Sequence, residues 1–563
     1  MDIFKKEIVK QLKPFLPLNE KEIQDALEVP PNNALGDYAF PCFTLTKTLK
    51  KSPNLIAQEI RDKIKKSSFF SKIENKGAYI NFFLTPSKLA EITLKEIKKQ
   101  KYVRKSQKKR IVVEFPSPNT NKPLHVGHLR NLTIGEALSR ILEFQGNKIY
   151  RVTVNNDRGT HICKSMLAYQ KFGKNKHPNK KPDHFVGDFY VLFAQKAKED
   201  SNLEKEAQEM LRKWEHKDLK VTQLWKKMNA WAYRGFNQTY KTFDATPFDK
   251  AYYESNLYTH GKEIVQEGVK KKIFQKEEDG AISVDLGEPL GKKILTRKDG
   301  TSLYITQDLY LASLKYKDFR YDQSIYVVAN EQDYHFQVLF KILKLLKNPF
   351  AESCYHLSYG MVHLPEGRMK SREGKVVDAD EVISELMKMA KNEIKKRDAS
   401  LSSKEIEKRA HSIALAAIKY YLIKSDIQKD LLFNPEEAVS FEGDTGPYLQ
   451  YTYARTSSIL RKAKKLPEKT DFSLLQKQEE INLIQHLSKF PEIVEEASIK
   501  LKPNLIANYA FTLSQFFNEF YHSCPVLTAE TGLKNARISL LKAFQHVLKN
   551  SLTLLNITPL EKM

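Results

Sequence analysis

Residues 111–154 constrain the fold most tightly. Ile111-Val112-Val113-Glu114-Phe115 reads as a strand, and SPNTNKP follows as a loop. A helix opens at His125. Its residues Ile134, Ala137, Leu138, Ile141 and Leu142 recur at i, i+3, i+4, i+7 and i+8, one apolar face. Gly146 is a helix stop, and IYRVTV (149–154) is a second strand. This β–loop–α–β order belongs to a parallel sheet, so the fold class is α/β with a Rossmann-like core. Strand-like runs at AISVDL (281–286) and SIYVVA (324–329) extend the expected sheet to about residue 360.

The flanks read differently. Residues 1–105 form a small α+β unit, with helical spacing in LNEKEIQDAL and SPNLIAQEIRDKI and a strand in GAYINFFL. A basic stretch, Arg104 to Arg110, marks a junction. The parallel-sheet domain then spans 106–385, with an insertion around 170–260. In it, KFGKNKHPNKKP (171–182) reads as a solvated loop. Residues 195–220 read as one exposed, ion-paired helix covering a side of the sheet. From 386 to 563 an all-α helical bundle is expected. It includes EIEKRAHSIALAAIKYYLI and GPYLQYTYARTSSILRK (446–462), a break at KLPEKTDF (465–472), and three or four further helices.

Several chemistries are excluded by their missing motifs. No G-x-G-x-x-G follows a strand, and no H-E-x-x-H occurs. Gly287 to Lys293 resembles a phosphate loop but is one residue short and lacks the Ser/Thr. The four cysteines are scattered, without a C-x-x-C pair, which fits a reducing compartment and no cysteine zinc site. The informative element is His125-Val126-Gly127-His128, where a strand's C-terminal end feeds a helix. Ligands bind α/β sheets there, and helix N–H groups suit phosphate oxygens. His125 and His128 can both donate hydrogen bonds to a phosphate. Gly127, lacking a Cβ, leaves room for a flat adenine. A metal held by the two histidines lacks a third ligand.

The run Glu114 to Arg130, EFPSPNTNKPLHVGHLR, resembles the first signature of class I aminoacyl-tRNA synthetases. Within that class it is similar to the arginyl-tRNA synthetase family, which carries Ser-Pro-Asn ahead of H-V-G-H. The resemblance implies a second signature at Arg368-Met369-Lys370-Ser371-Arg372, departing from the family's K-M-S-K-S, with cations for the triphosphate. It gives Lys122, three residues ahead of His125, part of that role. It places Tyr304 and Asp308 at the arginine side chain. A carboxylate buried there would accept a guanidinium through two parallel hydrogen bonds, which a lysine cannot copy. It puts Gln332 at the substrate, His335 near the nucleotide, and Ser117 and Asn119, with His128, at the amino acid's α-amino and carboxylate end. It implies tRNA contacts by Tyr38 and Tyr79 in the N-terminal unit and by Tyr448, Gln450, Tyr451 and Arg455 in the bundle, where tyrosines beside cations suit stacked RNA bases.

Charge enters here. Lys and Arg number 93 against 68 Asp and Glu, a net +25. Alone that is equally a solubilising surface or a polyanion's partner; the motifs favour tRNA. The implied activity is ATP-dependent formation of arginyl-adenylate and transfer of arginine to the terminal ribose of tRNA(Arg). Its co-substrates are ATP with Mg²⁺, and no tightly bound cofactor or metal site is expected. A class I synthetase of another specificity, or a synthetase-derived RNA-binding protein without catalysis, are the alternatives. No apolar run is long enough for a membrane helix, and the N-terminus lacks a secretory h-region, so a cytoplasmic location is expected; a monomer is expected too.

Overall fold

The computed structural model describes residues 3–65, 67–99, 102–103, 108–298, 303–363, 365, 377–463 and 470–563. In the N-terminal unit, β1 (Tyr38–Pro41), β2 (Phe70–Lys76) and β3 (Tyr79–Leu84) pair antiparallel in the order β1-β3-β2. Helices Glu20–Ala26 and Pro53–Lys63 start where the sequence supplies caps: Asn19 in a reciprocal box with Glu22, and Ser52 followed by Pro53.

The central sheet has five parallel strands. They are β4 (Arg110–Glu114), β5 (Lys148–Asn155) and β6 (Lys250–Tyr253), then, after β7 (Gln275–Lys276), β8 (Ile282–Asp285) and β9 (Lys292–Thr296), β10 (Gln323–Ala329) and β11 (Cys354–Tyr359). Their order is β11-β10-β4-β5-β6, with Ile111 opposite both Ile149 and Gln323. The chain winds outward from β4 through β5 to β6, then returns to β10 on the other side. The switch point therefore lies between β4 and β10, where open α/β sheets bind ligands at the strands' C-terminal ends.

Strand alternation splits the core into two faces. Ile111, Val113, Ile325 and Val327 join a core continuous with the helix Val126–Phe144, the N-terminal unit and the bundle. Val112, Val152, Val154 and Tyr326 face helices Tyr304–Phe319 and Asp333–Leu345. The helix Val126–Phe144 sits close on its sheet because of Gly135: a Cβ there would lie 2.2 Å from the Phe115 ring.

Two expectations are corrected. AISVDL is a strand, β8, but outside the parallel sheet: it pairs antiparallel with β7 and β9. Its connections are turns of a few residues, at Glu277–Gly280 and Gly287–Gly291, and a parallel crossover needs about a dozen. The segment 195–220 is not one helix. It breaks at Asp200 and again at His216–Lys217, giving Pro182–Glu199, Asn202–Glu215 and Leu219–Thr242. These three enclose a core of their own with Thr160–Phe172, built on Met166, Phe185, Phe189, Phe193 and Trp231. The basic stretch 173–181 is the loop expected.

Beyond Ala379 the described residues form helices joined by loops, apart from a short two-stranded pairing. In it β12 (Val362–His363) lies parallel to β13 (Leu431–Leu432). Helices Ser403–Ile423 and Gly446–Lys462 match the sequence reading, the latter capped by Thr445 with Pro447 in its first turn. Four further helices follow: Gln478–Ser488, Phe490–Lys500, Asn504–Ser523 and Thr531–Leu554. Of the 465–472 break, only residues 470–472 are described.

Candidate active site

Beyond β4 the chain runs as a loop to His125, pinned along the end of β5. The Thr153 hydroxyl donates to the Pro116 carbonyl at 2.5 Å, and the Asn156 amide donates to the Ser117 carbonyl at 3.3 Å. Asn156 N–H also donates to the Pro118 carbonyl, and Asn119 bridges Asn156 in parallel. Ser117 and Asn119 are thereby held half-buried at the switch point.

His125 is the residue before the helix Val126–Phe144. Its backbone N–H donates to His128 Nδ1 at 3.1 Å. That bond fixes the tautomer: with Nδ1 accepting, a neutral His128 carries its proton on Nε2 and can donate there. The two rings lie 3.9 Å apart. Burial pushes His125 down to about 4, with Lys122 adding to the effect, and pushes His128 well below the ordinary imidazole range. Both are neutral donors at neutral pH. Burial also lowers Lys122. An arriving polyphosphate would reverse these penalties, because an opposite charge favours the protonated forms. Gly127 is needed in place: a Cβ there would meet the His125 ring at 3.0 Å.

The far side of the switch point carries an acidic pocket. Tyr304 and Asp308 occupy the first two turns of the helix Tyr304–Phe319. His335 Nε2 lies 2.7 Å from Asp308 Oδ2, so His335 meets the carboxylate directly. Asp308 is not buried as expected; its side chain is 37% exposed, and Tyr304 is exposed too. Gln332 is exposed at the end of a short turn just outside β10. The two halves approach one another through 158–161. Lys122 acts electrostatically on His161, and a Cβ on Gly159 would lie 3.8 Å from the Tyr304 hydroxyl.

Sequence reasoning missed four members of this pocket. Glu254 follows β6 directly, and burial pushes its carboxyl up to about 7, with Arg158 opposing and Asp157 and Asp308 reinforcing. Arg158 stacks 4.2 Å over Tyr258 and pairs with Glu215 from the insertion. Asp157 accepts from Ser255 N–H and Oγ at 2.8 Å and from the Tyr233 hydroxyl at 3.0 Å, tying the end of β5 to the end of β6. His161 is driven to about 4 by burial. Their common signal was positional: all sit at the C-terminal ends of parallel strands. The four-residue β6, inside the segment read as insertion, hid Glu254, while Asp157, Arg158 and His161 follow β5, a strand the sequence had shown.

Arg130, two residues after His128, is buried and donates to the carbonyls of Gly360, Met361, Ile427 and Lys429 at 2.6–3.1 Å. It ties the helix to both sides of the β12–β13 pairing. Arg368, Met369, Lys370, Ser371 and Arg372 lie outside the described residues.

The bundle brings together three of its four sequence-singled residues. Arg455 donates to Asn518 Oδ1 and the Tyr451 hydroxyl at 3.1 and 3.2 Å, and lies over the Tyr451 and Tyr521 rings. The Tyr448 hydroxyl accepts from the Asn518 amide at 2.6 Å. Gln450 does not belong with them. It is fully buried and its amide donates to Ser412 and to the Thr558 carbonyl, so it packs the bundle and presents no surface to RNA. Tyr38 and Tyr79 are half-buried on adjacent strands, β1 and β3. Lys5 lies over the Tyr38 ring, and the Tyr79 ring meets Phe43 edge-on.

Residues 90–435 match the model for "tRNA synthetases class I (R), catalytic domain". Residues 2–84 match "Arginyl tRNA synthetase N terminal domain", and 449–563 match "DALR anticodon binding domain". The chain is 46% identical over 561 residues to the arginine–tRNA ligase of Treponema denticola, covering 95% of this chain and 94% of that one. It is 42% identical to that of Borreliella burgdorferi, with the same coverages. The solved arginyl-tRNA synthetase of Thermus thermophilus superposes with a TM-score of 0.84 at 28% identity, covering 99% of both chains.

Proposed function

The chain belongs to the arginyl-tRNA synthetase family and is an arginine–tRNA ligase, and from that premise we propose how its residues divide the work. Family membership sets aside the alternatives of another specificity and of binding without catalysis. In the first step the carboxylate of arginine attacks the α-phosphorus of ATP. The bond to the bridging oxygen breaks and pyrophosphate leaves; Mg²⁺ bound with the nucleotide would offset its charge. In the second, the terminal ribose hydroxyl of tRNA attacks the adenylate's carbonyl carbon, the acyl–phosphate bond breaks, and AMP leaves, its phosphate oxygen taking up the hydroxyl proton.

In this reading His125 and His128 donate to the α-phosphate oxygens, where charge builds in the transition state. Lys122 neutralises the leaving pyrophosphate, with Arg368, Lys370 and Arg372 as further cations and Met369 and Ser371 completing that segment. Gly127 leaves room for the adenine. Ser117 and Asn119 orient the α-amino and carboxylate groups. Tyr304, Asp308 and Gln332 receive the arginine side chain, and His335 orients Asp308. The observation that carries the reading is the pair of halves at one switch point: neutral imidazole donors beyond β4, and Asp308 with His335 beside β10.

The division into 1–105, 106–385 and 386–563, and a cytoplasmic monomer, belong to the same reading. The start of β4 at Arg110 supports the first boundary, whereas 385/386 falls inside the helix Ala379–Arg397, and the four free cysteines fit a reducing compartment. Among the described residues no helix is long and apolar enough to cross a membrane. Tyr38, Tyr79, Tyr448, Tyr451 and Arg455 are proposed to meet tRNA.

Asp308→Ala tests the assignment. Aminoacylation should show an arginine KM raised by about tenfold or more, since the guanidinium loses a charged acceptor, while the ATP KM stays within about twofold. An unchanged arginine KM would remove Asp308 from the pocket.

A further inference from the structure

The helix Pro182–Glu199 begins beside the nucleotide half of the site, and its start carries a charge cluster the reaction leaves unexplained. Lys181 Nζ donates to Asp183 Oδ2 at 2.8 Å and to the Thr239 hydroxyl at 2.7 Å, and pairs with Asp380 Oδ2 at 2.8 Å. Those three contacts use all its protons. His184 Nε2 lies 3.0 Å from Asp380 Oδ2 and 3.3 Å from Asp378 Oδ2. Asp183 is fully buried, and Asp378 Oδ2 is buried without a hydrogen-bond partner. Three carboxyl groups thus face one ammonium; a protonated His184 offsets a second negative charge, and burial raises the Asp378 carboxyl. The arrangement is not a metal site: an ammonium already fills the place between Asp183 and Asp380.

Asp378 is directly coupled to the signature histidines. It forms an antiparallel bridge with His125, flanked by Val126 N–H donating to the Val377 carbonyl and Ala379 N–H donating to the Leu124 carbonyl, both at 3.0 Å. Its Oδ1 accepts from Asp380 and Glu381 N–H, capping the helix Ala379–Arg397. The helix carrying His184 touches the same loop, since a Cβ on Gly187 would lie 2.8 Å from the Pro123 ring.

We propose that protonated His184 is a positioning residue for the nucleotide half of the site, holding 377–379 against the backbone at His125. The proposal rests on the reading of His125 as a phosphate donor. The groups acting on His184 are Asp183 and Lys181 at the start of its own helix and Asp378 and Asp380 opposite, with Thr239 from the helix Leu219–Thr242 bonded to Lys181 and Asp380 and Tyr240 lying near Asp183. The hydrogen bond to Asp380 raises its pKa, against a smaller opposing effect of burial, with Asp378 and Asp183 reinforcing. A raised imidazole pKa gives a contribution complete below the unfolded value and lost as pH rises through the folded one.

The test is aminoacylation at saturating arginine and tRNA, with ATP varied between about pH 6 and about pH 9. In the wild-type chain the ATP KM should climb about tenfold toward alkaline pH, while the arginine KM is unmoved above about pH 7. His184→Gln should show the raised ATP KM at every pH. Asp378→Asn keeps the cap but not the charge, so it should also flatten the profile. His125→Ala is the control for the underlying assignment. The proposal is overturned alone if His125→Ala impairs ATP use while both other variants keep the wild-type profile, or only melt earlier. It is overturned together with the ATP assignment if His125→Ala also leaves ATP kinetics unchanged.

Discussion

Glu254 is the residue whose chemistry the pocket perturbs most informatively. Folding raises it from the ordinary 4.5 to about 7, chiefly through burial. For an acid this sign means the folded protein holds its proton longer, so stability falls as pH rises from about 4.5 to about 7. Its charged form faces the space beside Asp308 where a guanidinium would sit, and one Oε has no hydrogen-bond partner. Arginine should therefore bind better as Glu254 ionises. The arginine KM is expected to fall by up to about tenfold per pH unit on approaching pH 7 from below. Glu254→Gln should remove that limb and raise the melting temperature at alkaline pH. Persistence of the limb in the variant would assign the titration to another group. The histidine pair was legible in the sequence because both residues sit on one turn. Glu254 and His184 were not, because their partners lie on other elements and only the fold brings them together.

At the scale of the element, the helix Val126–Phe144 organises the site. It presents His128 at one end, packs Gly135 against Phe115, and through Arg130 holds four carbonyls on the β12–β13 side. Arg130→Ala would leave those carbonyls buried without donors. A loss of about 3–5 kcal/mol in urea unfolding is expected, and Arg130→Lys should recover only part of it. A loss below about 1 kcal/mol would mean that water replaces the guanidinium. The helix and its two strands were readable from periodicity alone. β8 was readable as a strand but not as a member of its sheet: an apolar run says nothing of its neighbours, and the flanking turns, which do, were passed over. The charged insertion was misread as one exposed helix because its apolar contacts face the neighbouring helices of the insertion.

The whole molecule couples its ends. Lys5 pairs with Glu492, the Gln485 amide donates to Asp37, and the Tyr102 hydroxyl donates to the Leu487 carbonyl, so the N-terminal unit docks on the bundle. With a net charge of +25 spread over that body, the tRNA KM should rise steeply with salt while the arginine KM stays nearly flat. Arg455→Ala should raise the tRNA KM by about tenfold without moving the ATP KM, having lost both a cation and its stacked ring surface. An unchanged tRNA KM would leave the Tyr448–Tyr451–Arg455 cluster a purely internal contact. The excess charge was plain in the composition; its task was not, until the motifs placed the chain in a family whose substrate is tRNA. The central claim is that one switch point joins a phosphate-donor half to a guanidinium-acceptor half. Calorimetric binding of a non-hydrolysable arginyl-adenylate analogue tests it most directly. Affinity should fall by about 10²-fold for both His128→Ala and Asp308→Ala, with arginine alone sensing only Asp308 and ATP alone only His128. An analogue that binds either variant as tightly as the wild-type chain would contradict the account.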